Sequence, residues 1–293
     1  MTSATTAPKY VVITPVRDEE SYVEHTINSM LAQTLRPVEY VLVNDGSRDR
    51  TGEIIDMYAS RHSWIRAVHR PDRGHRKTGG GIIEAFYDGF HALDCRDWEY
   101  MCKLDGDLSF ESSYFAQSIA EFQKDPQLGI GGGVLYYMKN GQRVLEECPL
   151  FHVRGGVKIY RMACWGSIGG LWVGPSTDTV DEVKAHMKGW TTRSFQDLQL
   201  EHHRPTGMAY GVWGSMTKNG LGDYVCGYHP IFEAVKILSR VVRKPYLIGS
   251  LGLLYGFVSG YLKRIPRVDD RELIGFLRKQ QISRLLGQQT IWR

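Results

Sequence analysis

Short apolar runs alternate with helical patterns over the first 110 residues, and this alternation constrains the fold more than any other feature of the sequence. Apolar residues recur on one helical face between the runs, as at Ile82, Phe86 and Phe90. Strands that alternate with helices through short connections form a sheet covered on both faces. We therefore predict an α/β fold with a mostly parallel central sheet and helices on both faces. The runs predicted as strands are residues 10–14, 38–43, 65–69 and 100–104.

Composition and charge narrow the possible functions. The chain has 293 residues, 42% of them hydrophobic, which is enough to bury a large core. A formal charge of +4, spread over 36 basic and 32 acidic residues, is too small for a dedicated nucleic-acid binder, so no nucleic-acid partner is expected. The five cysteines are widely spaced without a C-x-x-C pair, and the N-terminus has no secretory pattern. We expect a cytoplasmic protein.

Polar clusters follow the predicted strands. Residues 14–20 follow the first strand, residues 44–49 follow the second, and a basic, glycine-rich stretch at 73–81 precedes the third helix. Because the carboxyl ends of parallel strands share one edge of a sheet, these clusters are expected to meet where ligands of such sheets bind. The glycine-rich stretch could cradle a phosphate at the helix N-terminus. Taken singly, 44–49 also reads as a turn with a helix cap, and 79–81 as a flexible helix entry.

Two aspartates, Asp105 and Asp107, directly follow the fourth predicted strand. Like charges this close repel each other, and a hard divalent cation between the carboxylates and a phosphate would relieve the repulsion. The alternative is a solvated turn in which Asp-Gly-Asp supplies side-chain hydrogen bonds to the backbone. The position after a strand, beside the other polar clusters, favours a cation site.

The sequence resembles the family 2 glycosyltransferases in three runs at these strand ends: VVITPVRDEE, VLVNDGSRDRTGEII and KLDGDLSF. The resemblance spans roughly residues 10–204 and implies a GT-A fold that binds a nucleotide sugar and a divalent metal, Mg²⁺ or Mn²⁺. By this likeness Pro15 and Glu19 line the nucleoside pocket, and Asp45 contacts the base. Asn44 stands where the family often has a second aspartate, which leaves the preferred nucleobase open.

The resemblance also implies which residues hold the diphosphate and the metal. Asp105 and Asp107 correspond to the D-x-D motif that holds ribose, metal and diphosphate, and Arg73 and Lys77 lie near the diphosphate. His202, in HHRPTG, matches a histidine that several members have near the metal, so it is a candidate third ligand. His203 is a weaker candidate. An adjacent histidine pair is also common as a partly buried hydrogen-bonding feature.

An acceptor-side carboxylate is implied later in the chain, in STDTVDEVKAHMKGW. Asp178 leads this predicted helix as the acid of the family's Thr-Glu-Asp helix does, so it is the candidate general base, with Asp181 in reserve. The alternative is a helix N-terminus that carries acids because the helix dipole favours them. Thr177 stands where Glu is usual, and no Gln-x-x-Arg-Trp motif of processive synthases follows. A single-transfer enzyme is therefore favoured over a polymerising one.

The resemblance implies an inverting, metal-dependent hexosyltransferase that moves a sugar from a nucleoside diphosphate sugar to an acceptor hydroxyl or phosphate. The acceptor would be a lipid-linked or cell-surface glycan precursor. Two other classes stay open: a sugar nucleotidyltransferase, and a membrane-bound scaffold that has a transferase fold without turnover. A dinucleotide-dependent dehydrogenase is disfavoured because no G-x-G-x-x-G follows the first strand.

The C-terminal part changes character, so we predict a catalytic domain over residues 8–228 and a helical segment over residues 229–293. Residues 245–262 carry no charge and have basic residues on both sides, which favours attachment to an anionic leaflet over crossing it. A buried helical hairpin or homo-oligomer contact and a true span are the alternatives. We expect a membrane-associating extension, peripheral on the cytoplasmic face. Glycines recur along it at helical spacing, at positions 252, 256 and 260.

Overall fold

The computed structural model describes residues 7–74, 80–146, 148–204, 211–242, 244 and 246–292. The chain divides into two compact units. Unit 1 comprises residues 1–170 and 189–204, and unit 2 comprises residues 171–188 and 205–293. The domain boundary predicted at residue 228 falls inside unit 2 and stays a prediction.

Unit 1 contains a nine-stranded sheet over the described residues, with strand order β3-β2-β1-β4-β8-β6-β9-β5 and β7 paired to β6. The four predicted strands are β1 to β4, and they pair in parallel. The sheet as a whole is mixed, because β4–β8, β8–β6, β6–β7 and β9–β5 are antiparallel. The expectation of a mostly parallel sheet therefore holds only for the part formed by β3, β2, β1 and β4. The strands are β1 (Tyr10–Val16), β2 (Glu39–Asn44), β3 (Ile65–His69), β4 (Tyr100–Leu104), β5 (Leu108–Phe110), β6 (Leu128–Lys139), β7 (Gln142–Leu145), β8 (Val157–Arg161) and β9 (Thr191–His202).

Helices cover both faces of this sheet. They are α1 (Val23–Leu31), α2 (Thr51–Arg61), α3 (Gly81–Ala92), α4 (Tyr114–Lys124) and α5 (Met162–Ile168). Helices α1, α2 and α4 share one core with alternate residues of β1, β2 and β4, such as Val12 and Leu42. Helix α3 lies against the other face, where a Cβ atom at Gly89 would come within 2.7 Å of Ile13 Cγ2. Glycine at that position lets the helix approach the strands closely.

Helix α1 starts differently from the sequence prediction. Ser21 and Glu24 read as a capping box, but the helix begins at Val23 and no side chain caps it. The carbonyl of Glu19 instead accepts hydrogen bonds from the amides of Tyr22 and Val23, each at 2.9 Å. The capping-box prediction is wrong: no side chain caps the helix, and the Glu24 carboxylate instead accepts a hydrogen bond from the Tyr58 hydroxyl at 3.1 Å.

Unit 2 is helical over its described residues. Its helices are α6 (Thr177–Met187), α7 (Gly211–Val225), α8 (Pro230–Arg240), α9 (Tyr246–Leu262) and α10 (Arg271–Leu285). Val180 and Val183 of α6 share a core with Leu273 and Leu277 of α10. Helices α7 and α9 pack through glycine: a Cβ atom at Gly256 would lie 2.1 Å from the Thr217 carbonyl oxygen, and one at Gly220 would lie 2.0 Å from the Leu253 carbonyl oxygen. The glycine spacing seen in the sequence thus marks a close helix contact.

Within the parts of the chain that the structure describes, no helix combines the length and the apolar character that crossing a membrane requires.

Candidate active site

Arginines join the loops that follow the first three strands of unit 1. Arg17, directly after β1, donates from Nη1 to the Asp45 carbonyl oxygen at 2.6 Å and from Nη2 to Asp72 Oδ1 at 2.7 Å. The Asp45 amide donates in turn to the Val16 carbonyl oxygen at 2.8 Å. The three loops therefore form one hydrogen-bonded edge, as the order of polar clusters predicts.

Two arginines hold the carboxylate of Asp45, which is buried. Arg73 donates from both terminal nitrogens, with Nη1 at 3.0 Å from Asp45 Oδ1, and Arg70 also contacts that oxygen. Arg70 further pairs through Nε with Asp88 Oδ2 at 2.6 Å. A two-pronged guanidinium contact fixes both the position and the plane of the carboxylate. The structure thus places the predicted residues Asp45 and Arg73 together, and Lys77 lies outside the described residues.

Pro15 and Glu19 lie at the end of β1 and in the loop after it. Pro15 is buried within β1 opposite Val43 of β2. Glu19 is buried, its amide donates to Thr51 Oγ1 at 2.8 Å, and its carboxylate accepts a hydrogen bond from Arg204. Both residues are therefore at the carboxyl edge of the strands, where the family resemblance implies the nucleoside.

Asp105 ends the fourth strand beside a buried lysine. Lys103 donates from Nζ to Asp105 Oδ1 at 2.9 Å and to the Gly155 carbonyl oxygen at 2.7 Å. The Asp105 side chain is 31% exposed, whereas the Lys103 side chain is buried. Between the two aspartates, a Cβ atom at Gly106 would lie 2.4 Å from Val16 Cγ1. The aspartate pair is therefore packed closely against β1.

Asp107 lies in the middle of a row of alternating charges that we call the charge row. Its Oδ2 atom is 3.4 Å from Arg204 Nη2 and 3.6 Å from His202 Nε2. The protein thus supplies cations to both aspartates, and their mutual repulsion is already relieved without a metal. In spatial order the members of the charge row are Glu19, Arg204, Asp107, His202, Glu146 and Arg154.

His202 is held between two buried carboxylates. Its Nδ1 atom lies 2.7 Å from Glu146 Oε1, on the side opposite Asp107. Burial opposes a charge on the ring, but hydrogen bonds and charge interactions with Asp107 and Glu146 outweigh it and raise the pKa of His202 to about 9. His202 is therefore a cation near neutral pH in the protein alone.

The neighbouring His203 faces a different environment. Its ring stacks on His25, with centroids 4.5 Å apart, and its Nε2 atom lies 2.7 Å from Ser109 Oγ. Burial and the nearby His25 lower the pKa of His203. The backbone amide of His203 donates to the Asp107 carbonyl oxygen at 3.0 Å. His203 thus contributes packing and backbone support, whereas His202 points its ring at Asp107.

Four members of this arrangement were not found by reading the sequence. Glu146 and Arg154, 3.8 Å apart, follow β7 and precede β8, in a stretch without a motif. Lys103 lies inside the predicted strand, where a single lysine could have been noticed as unusual. Arg204 directly follows the histidine pair, so its position in HHR was the available signal.

The predicted metal ligands can be compared with what Mg²⁺ or Mn²⁺ requires. Over the described residues, no three His, Cys, Asp or Glu side chains are grouped as around a bound ion. The donors still fit a cation that takes one or two protein ligands and completes its shell with phosphates and water. Asp107 offers a carboxylate oxygen, and His202 could offer Nε2 once a bound metal displaces the proton from that nitrogen, with Nδ1 held by Glu146. Metal-binding histidines are commonly held by a carboxylate in this way.

The two predicted acceptor-side acids lie in unit 2, at the start of α6. Asp178 is in the first turn and half-buried. Asp181 is fully buried, and its Oδ1 atom accepts a hydrogen bond from the Glu182 amide at 2.7 Å. A general base must reach an acceptor, so the exposure of Asp178 favours it over Asp181.

Comparison with known proteins supports the sequence resemblance. The profile of glycosyl transferase family 2 matches residues 11–169. An uncharacterized glycosyltransferase of Bacillus subtilis, EpsJ, is 34% identical over 139 residues, which is 46% of this chain and 36% of EpsJ. The aligned stretches span less than half the length of the curated relatives that the chain matches.

Solved structures share the fold at low sequence identity. The mannosyltransferase PcManGT from Pyrobaculum calidifontis, in complex with GDP-Man and Mn²⁺, matches with a TM-score of 0.57 at 14% sequence identity. The match covers 96% of this chain and 81% of the PcManGT chain. Residues 1–349 of TarS from S. aureus, in complex with UDP, match with a TM-score of 0.52 at 15% sequence identity. That match covers 96% of this chain and 92% of the TarS chain. These likenesses confirm the predicted α/β fold of GT-A type.

Proposed function

The chain belongs to glycosyl transferase family 2, and from that premise we propose that it transfers a hexose from a nucleoside diphosphate sugar to an acceptor hydroxyl or phosphate, with inversion at the anomeric carbon. The observation that carries this proposal is the edge of unit 1 where Asp45, Asp105 and Asp107 lie in loops that follow strands and each contact a cationic side chain of the protein. The complexes of PcManGT with GDP-Man and Mn²⁺ and of TarS with UDP support a nucleotide-sugar donor and a divalent cation.

In this proposal the donor lies along the edge of β1, β2 and β4. Asp45, oriented by Arg73, accepts hydrogen bonds from the base, and Asp105 accepts one from the ribose. Asp107 and His202, the latter after loss of its Nε2 proton, would hold Mg²⁺ or Mn²⁺, and the ion would supply positive charge next to the leaving diphosphate. Glu146 keeps His202 in the orientation that presents Nε2.

The general base of this proposal is Asp178. Asp178 takes the proton of an acceptor hydroxyl while that oxygen attacks the anomeric carbon from the face opposite the diphosphate. A single displacement of this kind inverts the configuration. If the acceptor is a phosphate, its oxygen is already ionised and Asp178 contributes little. Substituting Asp178 should therefore slow transfer to a hydroxyl acceptor much more than transfer to a phosphate acceptor. Comparing the two transfer rates indicates which kind of acceptor is natural.

We place the reaction at the cytoplasmic face of the membrane, with a lipid-linked glycan precursor as acceptor. Two rival functions, a nucleotidyltransferase and a scaffold without turnover, differ in what they predict for the donor. A nucleotidyltransferase would take a nucleoside triphosphate and a sugar phosphate, whereas a scaffold would release no nucleoside diphosphate.

The test is a binding and turnover measurement on the full chain. Thermal unfolding is followed with UDP, GDP, dTDP and CDP, each with and without Mn²⁺, because a ligand that binds the folded state raises the midpoint. We expect one diphosphate to raise it, and more so with Mn²⁺. Asp107→Asn should abolish the Mn²⁺-dependent part, whereas Asp197→Asn, an exposed acid of β9, should leave it unchanged.

Transfer itself is followed by release of nucleoside diphosphate and by the anomeric configuration of the product. Asp178→Asn should keep donor binding and lose transfer to a hydroxyl acceptor by roughly a hundredfold or more. Retention of configuration would contradict the mechanism. Absence of any nucleotide response in the wild-type protein would favour the scaffold.

A further inference from the structure

Helix α9 of unit 2 has its glycines and serines inside and most of its large apolar residues outside, with Leu253 and Phe257 as the buried exceptions. Gly252 and Gly256 face α7, where a Cβ atom at Gly252 would lie 2.8 Å from Met216 Cβ. The outward side chains belong to Leu, Ile and Val residues that fall within about 120° of the helix circumference. In a domain surrounded by water the large apolar residues of a surface helix turn inward. The exposed Leu, Ile and Val residues are Leu247, Ile248, Leu251, Leu254, Val258 and Leu262.

Helix α8 adds a second exposed stripe. Ile231, Val235, Leu238 and Val242 recur at intervals of four, three and four residues along α8 and just past its end, and all of them are exposed. The opposite side of α8 is polar and turned inward: Lys236 contacts Asp223 of α7 and lies 3.7 Å from Glu233. We call the exposed stripes of α8 and α9 together the outer apolar face. The two helices are in contact, since Ser250 Oγ of α9 donates to the Ile237 carbonyl oxygen of α8 at 3.1 Å, and exposed apolar stripes on neighbouring helices indicate an interaction site.

The charges around the outer apolar face have one sign. From residue 234 to residue 268 the sequence contains no Asp or Glu. Lys244 precedes α9, and Lys263 and Arg264 follow it, all three exposed. Arg267 is used differently, since its guanidinium lies over the rings of Tyr224 and Tyr261 at 4.5 and 4.8 Å. Exposed cations at both ends of the helix fit a surface of anionic headgroups.

The same charges argue against a second copy of the chain as the occupant. If two α9 helices packed face to face in antiparallel orientation, Lys244 of each would meet Lys263 and Arg264 of the other. In parallel orientation each cation would meet its own counterpart. Like charges across an interface oppose association in either case. A lipid leaflet supplies both the apolar layer and the negative charge.

We propose that unit 2 binds an anionic lipid leaflet through the outer apolar face, with α9 lying in the plane of the membrane surface. The side chains of Leu247, Leu251 and Leu254 enter the boundary between headgroups and acyl chains, and Lys244, Lys263 and Arg264 contact the headgroups. The glycine contact between α7 and α9 keeps α9 attached to its unit while its other side meets lipid. This inference is independent of the donor chemistry, because it uses no residue of unit 1.

The experiment measures binding of the full chain to vesicles by flotation, without nucleotide. Vesicles of phosphatidylcholine alone are compared with vesicles that also contain phosphatidylglycerol. We expect binding mainly to the second kind, weakened by added salt. The double substitution Leu247→Gln/Leu251→Gln should lower the partition coefficient by roughly tenfold or more. The matched control Leu285→Gln/Leu286→Gln, exposed at the end of α10 of the same unit, should change it by less than about twofold.

Two further measurements decide between occupants. Replacing Lys263 and Arg264 by Gln should lower binding to the anionic vesicles, and binding to phosphatidylcholine should not change. The oligomeric state of the free protein is measured by light scattering. A dimer that becomes monomeric on Leu247→Gln/Leu251→Gln would make the second copy the occupant and overturn the proposal. The proposal would also be overturned if the α10 control lost as much vesicle binding as Leu247→Gln/Leu251→Gln, or if the wild-type protein did not bind vesicles.

Discussion

Strand β1 of unit 1 and helix α9 of unit 2 are both uncharged and rich in large apolar residues, yet they place these residues on opposite sides of the boundary with solvent. All seven residues of β1 are buried. In α9 six of the eight buried positions are glycine or serine, the other two are Leu253 and Phe257, and the remaining Leu, Ile and Val residues are exposed. The strand is covered by helices on both faces, whereas α9 is covered on one side only. Apolar content alone therefore does not say what a segment packs against.

The difference predicts different responses to substitution. Where large side chains fill a core, removing volume should cost most. Where backbones touch through glycine, adding volume should cost most. On the outer apolar face neither change should affect folding strongly. Four substitutions test this order, from the largest effect to the smallest.

Phe115→Ala should have the largest effect on stability. Phe115 of α4 is fully buried, and its ring stacks on Tyr10 of β1 with centroids 4.8 Å apart. Removing the ring leaves a cavity, so the free energy of unfolding should fall by about 3–5 kcal/mol. Denaturant unfolding followed by fluorescence measures the change. A loss near zero would mean that unit 1 does not depend on this core.

Gly256→Ala should destabilise unit 2 by about 1–3 kcal/mol. The added methyl group would meet the Thr217 carbonyl oxygen at 2.1 Å, and a backbone atom cannot rotate away. Alanine favours a helix more than glycine does, so propensity alone predicts stabilisation by roughly 1 kcal/mol. The sign of the change, read by calorimetry, therefore separates the packing effect from the propensity effect. Gly275→Ala in α10, where nothing lies within 4 Å, is the control and should be stabilising.

His202 should make stability depend on pH at the polar edge of unit 1. Its pKa is raised to about 9 from an ordinary value of 6.5, so its protonated form stabilises the fold fully below pH 6.5. This stabilisation is lost as the pH rises through about 9, by up to about 3 kcal/mol in the metal-free protein. His202→Gln should remove the slope. In Glu146→Gln the loss should begin at lower pH, because one of the two carboxylates that raise the pKa is gone.

Leu251→Gln should change stability least, by under about 0.5 kcal/mol, because the side chain is exposed. The same substitution is expected to weaken vesicle binding, so the pair of measurements separates folding from docking. A loss of several kcal/mol would show that the side chain is buried in solution, and the contrast between β1 and α9 would then fail.

The sequence was sufficient for those features that depend on local pattern. The first four strands, the position of Asp105 and Asp107 at a strand end, and the glycine contact of α9 all follow from periodicity over a few residues. Strand β8 enters the sheet beside β4, and β9 enters it beside β6, through long-range pairing that no local pattern records. For this reason Glu146 and Arg154 could not be connected to Asp107 from the sequence.

The direction in which α9 faces was also not available from the sequence. Both sides of the helix are apolar, so its amphipathic signal is weak, and only the size of the residues distinguishes them. The glycines identify the packed side once the helix is known to be covered by protein on one side. The role of Arg267 differed from the expectation for a similar reason: its sequence position suggested a headgroup contact, but two tyrosine rings lie within its reach.

The contact between Gly106 and Val16 has an evolutionary consequence. Because a Cβ atom at position 106 would lie 2.4 Å from Val16 Cγ1, a larger residue between the two aspartates requires that Val16 rotate or become smaller. The two positions are 90 residues apart in the sequence but share one small volume. Among homologues they should therefore change together, with a bulkier residue at one position accompanied by a slimmer residue at the other.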